Sequence, residues 1–369
     1  MKILYTNAHL GNGGGHATYI VNLAASFNKE HDVYIATPSS SRLYALASNV
    51  SNVTCLPTTF SSRFFTMLAE TRRLYKLLRD VEFDVVHVNG SSDHKQAILA
   101  CAFLPTPPKI VWTKHNTMPV SSIGHRLRAN VGTAGVIGVC DKVSELLHRS
   151  SYQKLAIKTI RLGVHLERFA PVLEPEWRSA RQRFLGDIGN EVLVLGSVGG
   201  TDLDKGWLVL ARAISQLPKT SQKRLRLLVA GDPPAPAVRA EVDSLGLQDI
   251  VIFPGLVSDP ASVLAASDIG FVFSFHEAGS YAACESLAMG LPTLVSNAGG
   301  LPELVRNEVD GWVLPAGDVQ AVQSWLQALL DNGYPLAMKK AARERAQDLF
   351  SMSLLAQSTM DFYTEVCAQ

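Results

Sequence analysis

Short apolar runs alternate along this chain with longer stretches in which apolar and polar residues recur at helical spacing. In the first half, residues 2–5, 32–37, 84–89, 109–113 and 135–140 read as strands. In the second half, residues 191–197, 226–230, 250–253, 269–275 and 292–296 do so. Strands separated by helix-length segments predict an α/β fold with parallel, doubly wound sheets. The pattern breaks at residues 171–177, where Pro171, Pro175 and two glutamates interrupt it. The division expected is therefore residues 1–170, 171–345 and a closing helical tail, 346–369. A length of 369 residues suits two domains.

Composition narrows the class. An apolar content of 47% is enough for two cores. No stretch approaches the ~18–20 uncharged apolar residues of a membrane-spanning helix. Met1-Lys2 leads straight into a short strand, unlike a signal peptide. Five scattered cysteines without a CxxC pair point to reduced thiols in a cytoplasmic protein. The net charge of +1 hides an asymmetry. Residues 1–170 hold 19 Lys and Arg against 10 Asp and Glu, leaving 15 against 23 for the rest. A basic first half attracts anionic partners. Residues 63–79 concentrate that charge, with Arg63, Arg72, Arg73, Lys76 and Arg79 interleaved with Phe64, Phe65 and several leucines. Such a helix either packs on a core with a solvated basic face or lies on an anionic membrane surface.

The run FVFSFHEAGSYAACESLAMGLPTLVSNAGGLPELV, residues 271–305, carries the most chemistry. A strand ends in a polar loop with Glu277, Gly279 and Ser280. A helix follows, with Glu285 near its start, and Gly290 and Pro292 stop it. In open α/β sheets ligands bind at the carboxyl edge of the strands, where Glu277 falls. Ionised carboxylates only accept hydrogen bonds, which suits hydroxyl-rich ligands.

Three further places qualify. Gly13-Gly14-Gly15 lies between the first strand and a helix, where backbone amides approach phosphate closely. Lys205-Gly206 sits in a loop after the strand ending at Ser197, placed to neutralise a leaving diphosphate. His115, His16, Asn89 and His94 lie at or near strand ends of the first half. Asp202 and Asp204 share the lysine loop, and no metal site is expected there.

These segments resemble, in order and spacing over most of the chain, the retaining nucleotide-sugar glycosyltransferases of family 4. The opening MKILYTNAHLGNGGGHATYIVNLAASF matches that family's first strand, glycine loop and helix. DVVHVNG, VWTKHNT, RLGVHLERFAP, VGGTDLDKG, VAGD, FPGLV and DGWVLPAGD match later pieces. The resemblance implies a GT-B fold, two facing Rossmann-like domains with the last helix crossing back to the first. It implies transfer of a sugar from a nucleotide-diphosphate sugar to a glycan or lipid-linked acceptor with retention, without a metal. Bacterial cell-surface polysaccharide or lipopolysaccharide core is the expected product class. His115, Lys205 and Glu277 would be catalytic. Gly14, Gly15, Gly199, Lys205, Glu277, Ser280, Tyr281 and Glu285 would bind the donor, a UDP-sugar rather than a GDP-sugar, Glu285 taking the ribose hydroxyls. His16, Asn89 and His94 would meet the acceptor. No cofactor and no nucleic acid are expected, and peripheral contact with an anionic membrane is the alternative to core packing for the basic helix. The chain departs from the family at Ala17, where an acid is common, and at Gly200, where an arginine is usual. Gly279-Ser280 replaces an aromatic-glycine pair. A nucleotide-sugar epimerase or glycan phosphorylase shares the two-domain plan, and Gly200 makes a binding-only protein a rival.

Overall fold

The computed structural model describes residues 1–10 and 15–369. The chain forms two compact units, residues 1–163 with 352–369, and residues 164–351. The first unit holds strands β1 (Lys2–Thr6), β2 (Asp32–Thr37), β3 (Val53–Pro57), β4 (Val85–Val88), β5 (Lys109–Lys114), β6 (Thr133–Gly138) and β7 (Ala156–Thr159). The second holds β8 (Leu193–Ser197), β9 (Leu225–Val229), β10 (Val251–Ile252), β11 (Ile269–Val272), β12 (Thr293–Ser296) and β13 (Gly311–Leu314).

The first sheet runs β3-β2-β1-β4-β5-β6-β7 and the second β10-β9-β8-β11-β12-β13. Every pairing is parallel. Central strands such as β4 and β11 are buried along their whole length, as crossover helices on both faces require. The order of strands reverses between β1 and β4, and again between β8 and β11. In open parallel sheets a crevice opens beyond the strand ends at such a reversal.

Three strands have no counterpart in the apolar pattern, and all three are edges. β3, β7 and β13 are only half buried, so each lacks the continuous apolar run of a central strand. The strand expected over 269–275 ends at Val272, after which the chain turns away towards Glu277. After β12, Gly299-Gly300 leads into a single 3₁₀ turn, Leu301–Glu303.

The basic amphipathic segment is the helix Phe64–Val81. Its inner face is Glu70, Leu74 and Leu78. Glu70 accepts hydrogen bonds from the backbone and hydroxyl of Thr59 and the backbone of Ser61, which ties the helix start down. Phe64, Phe65 and Leu68 stay in solvent. Core packing therefore accounts for the second half of this helix and not the first.

The helix Met352–Ala368 completes the core of the first unit with Leu355, Phe362, Tyr363 and Val366. Phe362 and Val366 lie where a side chain at Gly135 of β6 would stand. The Tyr363 hydroxyl meets His87 Nδ1 at 2.5 Å, and His87 Nε2 meets the Thr113 hydroxyl at 2.6 Å. Burial alone pulls the His87 imidazole down to about 3, so it stays neutral. Tyr363→Phe would leave a fully buried ring nitrogen unpaired. A loss of about 1–3 kcal/mol in urea unfolding is expected. An unchanged unfolding midpoint would show that this contact contributes nothing.

Candidate functional site

In the second unit, the loop after β8 folds into the 3₁₀ turn Leu203–Lys205 and closes on Gly206 with φ +69°. A side chain at Gly206 would overlap the Phe273 carbonyl beyond β11. Glycine thus lets the loop lie against the end of β11, where the Asp204 carbonyl accepts from the Phe275 amide at 2.9 Å. The Lys205 ammonium then reaches Glu277 Oε2 at 3.0 Å. Burial pushes the Glu277 carboxyl up, and Lys205 opposes that shift. Asp204 faces His276 Nδ1 at 2.9 Å, so one of the two loop acids is engaged by a side chain rather than left open.

The helix Tyr281–Ala288 starts just past this ion pair. Ser280 caps it by accepting from the Ala283 amide at 3.3 Å. Its N-terminal amides and dipole favour an anion. Glu285 lies one turn into the helix, and its carboxylate has no hydrogen-bond partner among the described residues. Burial pushes its carboxyl up to about 7, partly offset by Arg168, which pairs with Asp259 nearby. Gly290, with φ +73°, ends the segment before β12, as its position after the apolar face predicts. Gly199 donates to Ser197 Oγ at 3.3 Å, and Gly200 to the Ala230 carbonyl. Gly200 has φ +98° with open space beside it, so the backbone here is shaped for glycine rather than arginine.

In the first unit, Gly13 and Gly14 lie outside the described residues, and Gly15 opens the helix Gly15–Phe27. At the sheet edge near the start of that helix, three tilted imidazoles pack together. The His16 ring is 4.3 Å from that of His115 and 4.8 Å from that of His9. Tyr19 stands edge-on to His115 at 4.9 Å. Asn89 Oδ1 meets His115 Nε2 at 2.9 Å. The Asn89 side-chain amide in turn donates to the Thr6 carbonyl at 3.2 Å. Burial and the neighbouring rings pull His115 well below its ordinary range, and His16 falls to about 4. These rings are neutral near pH 7, so they offer hydrogen bonds and stacking rather than charge.

Two residues that the motif reading passed over hold this edge together. Asp93 Oδ2 accepts from Thr6 Oγ1, the Asn89 amide and the Gly90 amide. His9 extends the ring stack. An acid four positions after Asn89, at the start of a helix, was the available signal for the first. His94 is fully buried, with Nε2 at 2.9 Å from Thr133 Oγ1 and its ring against Trp112.

The chain has recognisable relatives among known proteins. The family model described as Glycosyltransferase Family 4 matches residues 13–168, and that described as Glycosyl transferases group 1 matches residues 190–332. The chain is 32% identical over 58% of its length to the D-inositol 3-phosphate glycosyltransferase of Saccharomonospora viridis, covering 51% of that protein. The chain thus spans about half the length of the first curated relatives it matches. It is 25% identical to the UDP-Gal:alpha-D-GlcNAc-diphosphoundecaprenol alpha-1,3-galactosyltransferase of Escherichia coli, covering 79% of the chain and 78% of that enzyme. Among solved structures, Anabaena HepE in complex with UDP superposes with a TM-score of 0.84 at 17% identity, over 99% of the chain and 100% of that protein. The fold is GT-B.

Glu285 yields a test by pH. Its folded value lies above the ordinary 4.5, so between 4.5 and about 7 the folded chain holds a proton that the unfolded chain releases. Stability falls as pH rises through that window and stays lower above it. Glu285→Gln carries no such proton. Unliganded, it is expected to gain on the parent above neutral pH, by up to roughly 3 kcal/mol. Parallel stability profiles for parent and variant across that range would contradict the assignment.

Proposed function

We propose that this chain, which belongs to the family 4, group 1 glycosyltransferases, transfers a sugar from a UDP-sugar to a glycan or lipid-linked acceptor with retention of configuration. The observation that carries the reading is the Lys205–Glu277 pair, 3.0 Å apart beside the N-terminus of the helix that carries Glu285. Lys205 and the amides of Ser280 and Tyr281 stabilise charge on the departing diphosphate. Glu277 accepts hydrogen bonds from the donor sugar and Glu285 from the ribose. Neutral His115, oriented by Asn89, meets the transferred sugar. The departing diphosphate oxygen takes the acceptor proton on the face where the new bond forms. A lysine and a helix terminus supply the positive charge, so activity is expected to survive chelation by EDTA. UDP is preferred to GDP on the likeness to the UDP-bound Anabaena protein.

The acceptor class follows from the first unit. Its excess of basic residues favours phosphorylated or lipid-linked glycans. The E. coli relative is named for a diphosphoundecaprenol acceptor, and cell-surface polysaccharide or lipopolysaccharide core is the class proposed here. Phe65 is 83% exposed, beside exposed Phe64 and Leu68, and the helix Ile123–Val131 shows Ile123, Leu127 and Val131 to solvent at four-residue spacing. With exposed Arg72, Arg73 and Lys76 on the first of these helices, this face is complementary to an anionic bilayer surface. No helix among the described residues is long and apolar enough to cross a membrane. All five cysteines are free, which suits the reducing cytoplasmic side.

Two experiments test this. Calorimetry with UDP and GDP, followed by turnover and proton NMR of the product, reads donor choice and stereochemistry. Lys205→Ala is expected to lower kcat about 10²–10³-fold. Donor binding without turnover on any acceptor would instead identify a binding-only protein. In the second, Arg72→Glu with Arg73→Glu, and separately Phe65→Ser with Leu127→Ser, are expected to abolish co-sedimentation with phosphatidylglycerol vesicles while UDP affinity is unchanged. Undiminished co-sedimentation would refute the surface assignment.

A further inference from the structure

β5 ends in two neighbours with different surroundings. His115 joins the ring stack, and Lys114 packs with Trp112 instead. Lys114 is only 3% exposed. Its ammonium donates to Asn116 Oδ1 at 2.9 Å and stands 5.8 Å from the Trp112 ring centre. No carboxylate pairs with it among the described residues. Burial, with nothing negative to offset it, pulls the lysine down to about 8, so it remains mostly charged at neutral pH.

More polar groups gather round the same indole. The rings of His94 and His125 each lie 5.5 Å from Trp112, and Tyr152 lies 5.1 Å away. Arg128 donates through Nη2 to His125 Nδ1 at 3.0 Å. Lys114 and Arg128 both act on His125. Two buried polar atoms here have no partner, Arg128 Nε and His94 Nδ1. Lysine, arginine, two imidazoles and a phenol thus share one place without a single acid.

A structural role explains this poorly. A buried cation is costly unless paired, and core lysines are normally matched by a carboxylate. Asn116 is the one group that satisfies Lys114, and it is exposed. Its Oδ1 also accepts from the Met118 amide at 3.1 Å, so it holds a turn over the lysine. That oxygen occupies the position an anion's oxygen would take.

We propose that Lys114 and Arg128, with His125 between them, form a subsite for a phosphoryl group of the acceptor, which displaces Asn116 Oδ1 from the lysine. This rests on reading the first unit as the acceptor-binding unit, and it narrows the acceptor to a phosphorylated one. The chemistry serves a sugar phosphate and a lipid-linked phosphate alike. Two or three charge-assisted hydrogen bonds to one phosphoryl group would replace the unpaired Arg128 Nε and one neutral contact.

The test is calorimetry of the full chain with inorganic phosphate, glucose 6-phosphate and glucose, and co-sedimentation with phosphatidylcholine vesicles with and without phosphatidic acid. Saturable binding of the phosphates but not of glucose is expected. Lys114→Met and Arg128→Gln should each weaken it about 10–100-fold, the range of one lost charge-assisted bond. Asn116→Ala, which leaves both cations in place, should bind phosphate at least as tightly as the parent and stands in if Lys114→Met fails to fold. Preference for glucose 6-phosphate marks a soluble acceptor, and retention of the Arg72→Glu, Arg73→Glu variant on phosphatidic acid vesicles, lost when Arg128→Gln is added, marks a lipid one. Absence of phosphate binding in the parent, or binding indifferent to all three substitutions, would overturn the subsite. UDP is titrated into each protein as a control. A chain that binds UDP but no phosphate loses only this proposal, whereas failure to bind any nucleotide would count against the glycosyltransferase reading itself.

Discussion

The second unit depends on one close approach, that of the Gly206 backbone to the Phe273 carbonyl. No side chain fits there, and the positive φ would strain any residue but glycine. Because the loop lies against the strand exit, Lys205 and Glu277 meet, although they are 72 residues apart in sequence. The same contact lines up Asp204 with His276 and the Asp204 carbonyl with the Phe275 amide. A bulkier residue would lift the loop and separate cation from carboxylate before it touched any ligand. The pair is therefore a property of backbone geometry as much as of the two side chains.

The two units solve the problem of polar groups at a strand edge differently. The second keeps charge and pairs it, as in Lys205–Glu277 and in the buried Arg181–Asp268 bridge at 2.9 Å. The first removes charge by burial and leaves neutral rings, His87, His16 and His115, joined by hydroxyl and amide contacts. A neutral edge suits a face that handles sugar rings, where stacking and directional hydrogen bonds matter more than field. Lys114 and Arg128 are the exception, and their isolation from any acid is what makes them conspicuous.

Much of this was legible from residue order. The central strands, the reversal of each sheet and the Glu277–Glu285 segment all follow from apolar runs and the glycine and proline that punctuate them. Edge strands β3, β7 and β13 were not, because half-exposed strands lose the continuous apolar signal. Contacts made across the fold were illegible for another reason. Nothing in the spacing of His9, His16 and His115 announces a stack, since a parallel sheet brings together strand ends that are a hundred residues apart. Asn89 and His94 read alike as strand-end polar residues, yet one orients His115 and the other is sealed beneath Trp112. Burial of that kind is decided by which face of a helix turns inward, and a single short helix leaves that choice open.

The helix Met352–Ala368 gives the fold an order in time. Residues 1–163 leave the ribosome long before the segment that finishes their core, and the whole of the second unit is made in between. Until that helix arrives, His87 lacks its phenol partner and the groove over Gly135 stands open to water. The second unit has all of its strands and helices by Ser351 and is free to fold first. The N-terminal half is thus the last to mature, an inversion of the usual vectorial sequence. During synthesis the first unit presents an unfinished apolar surface until residues 352–369 are made.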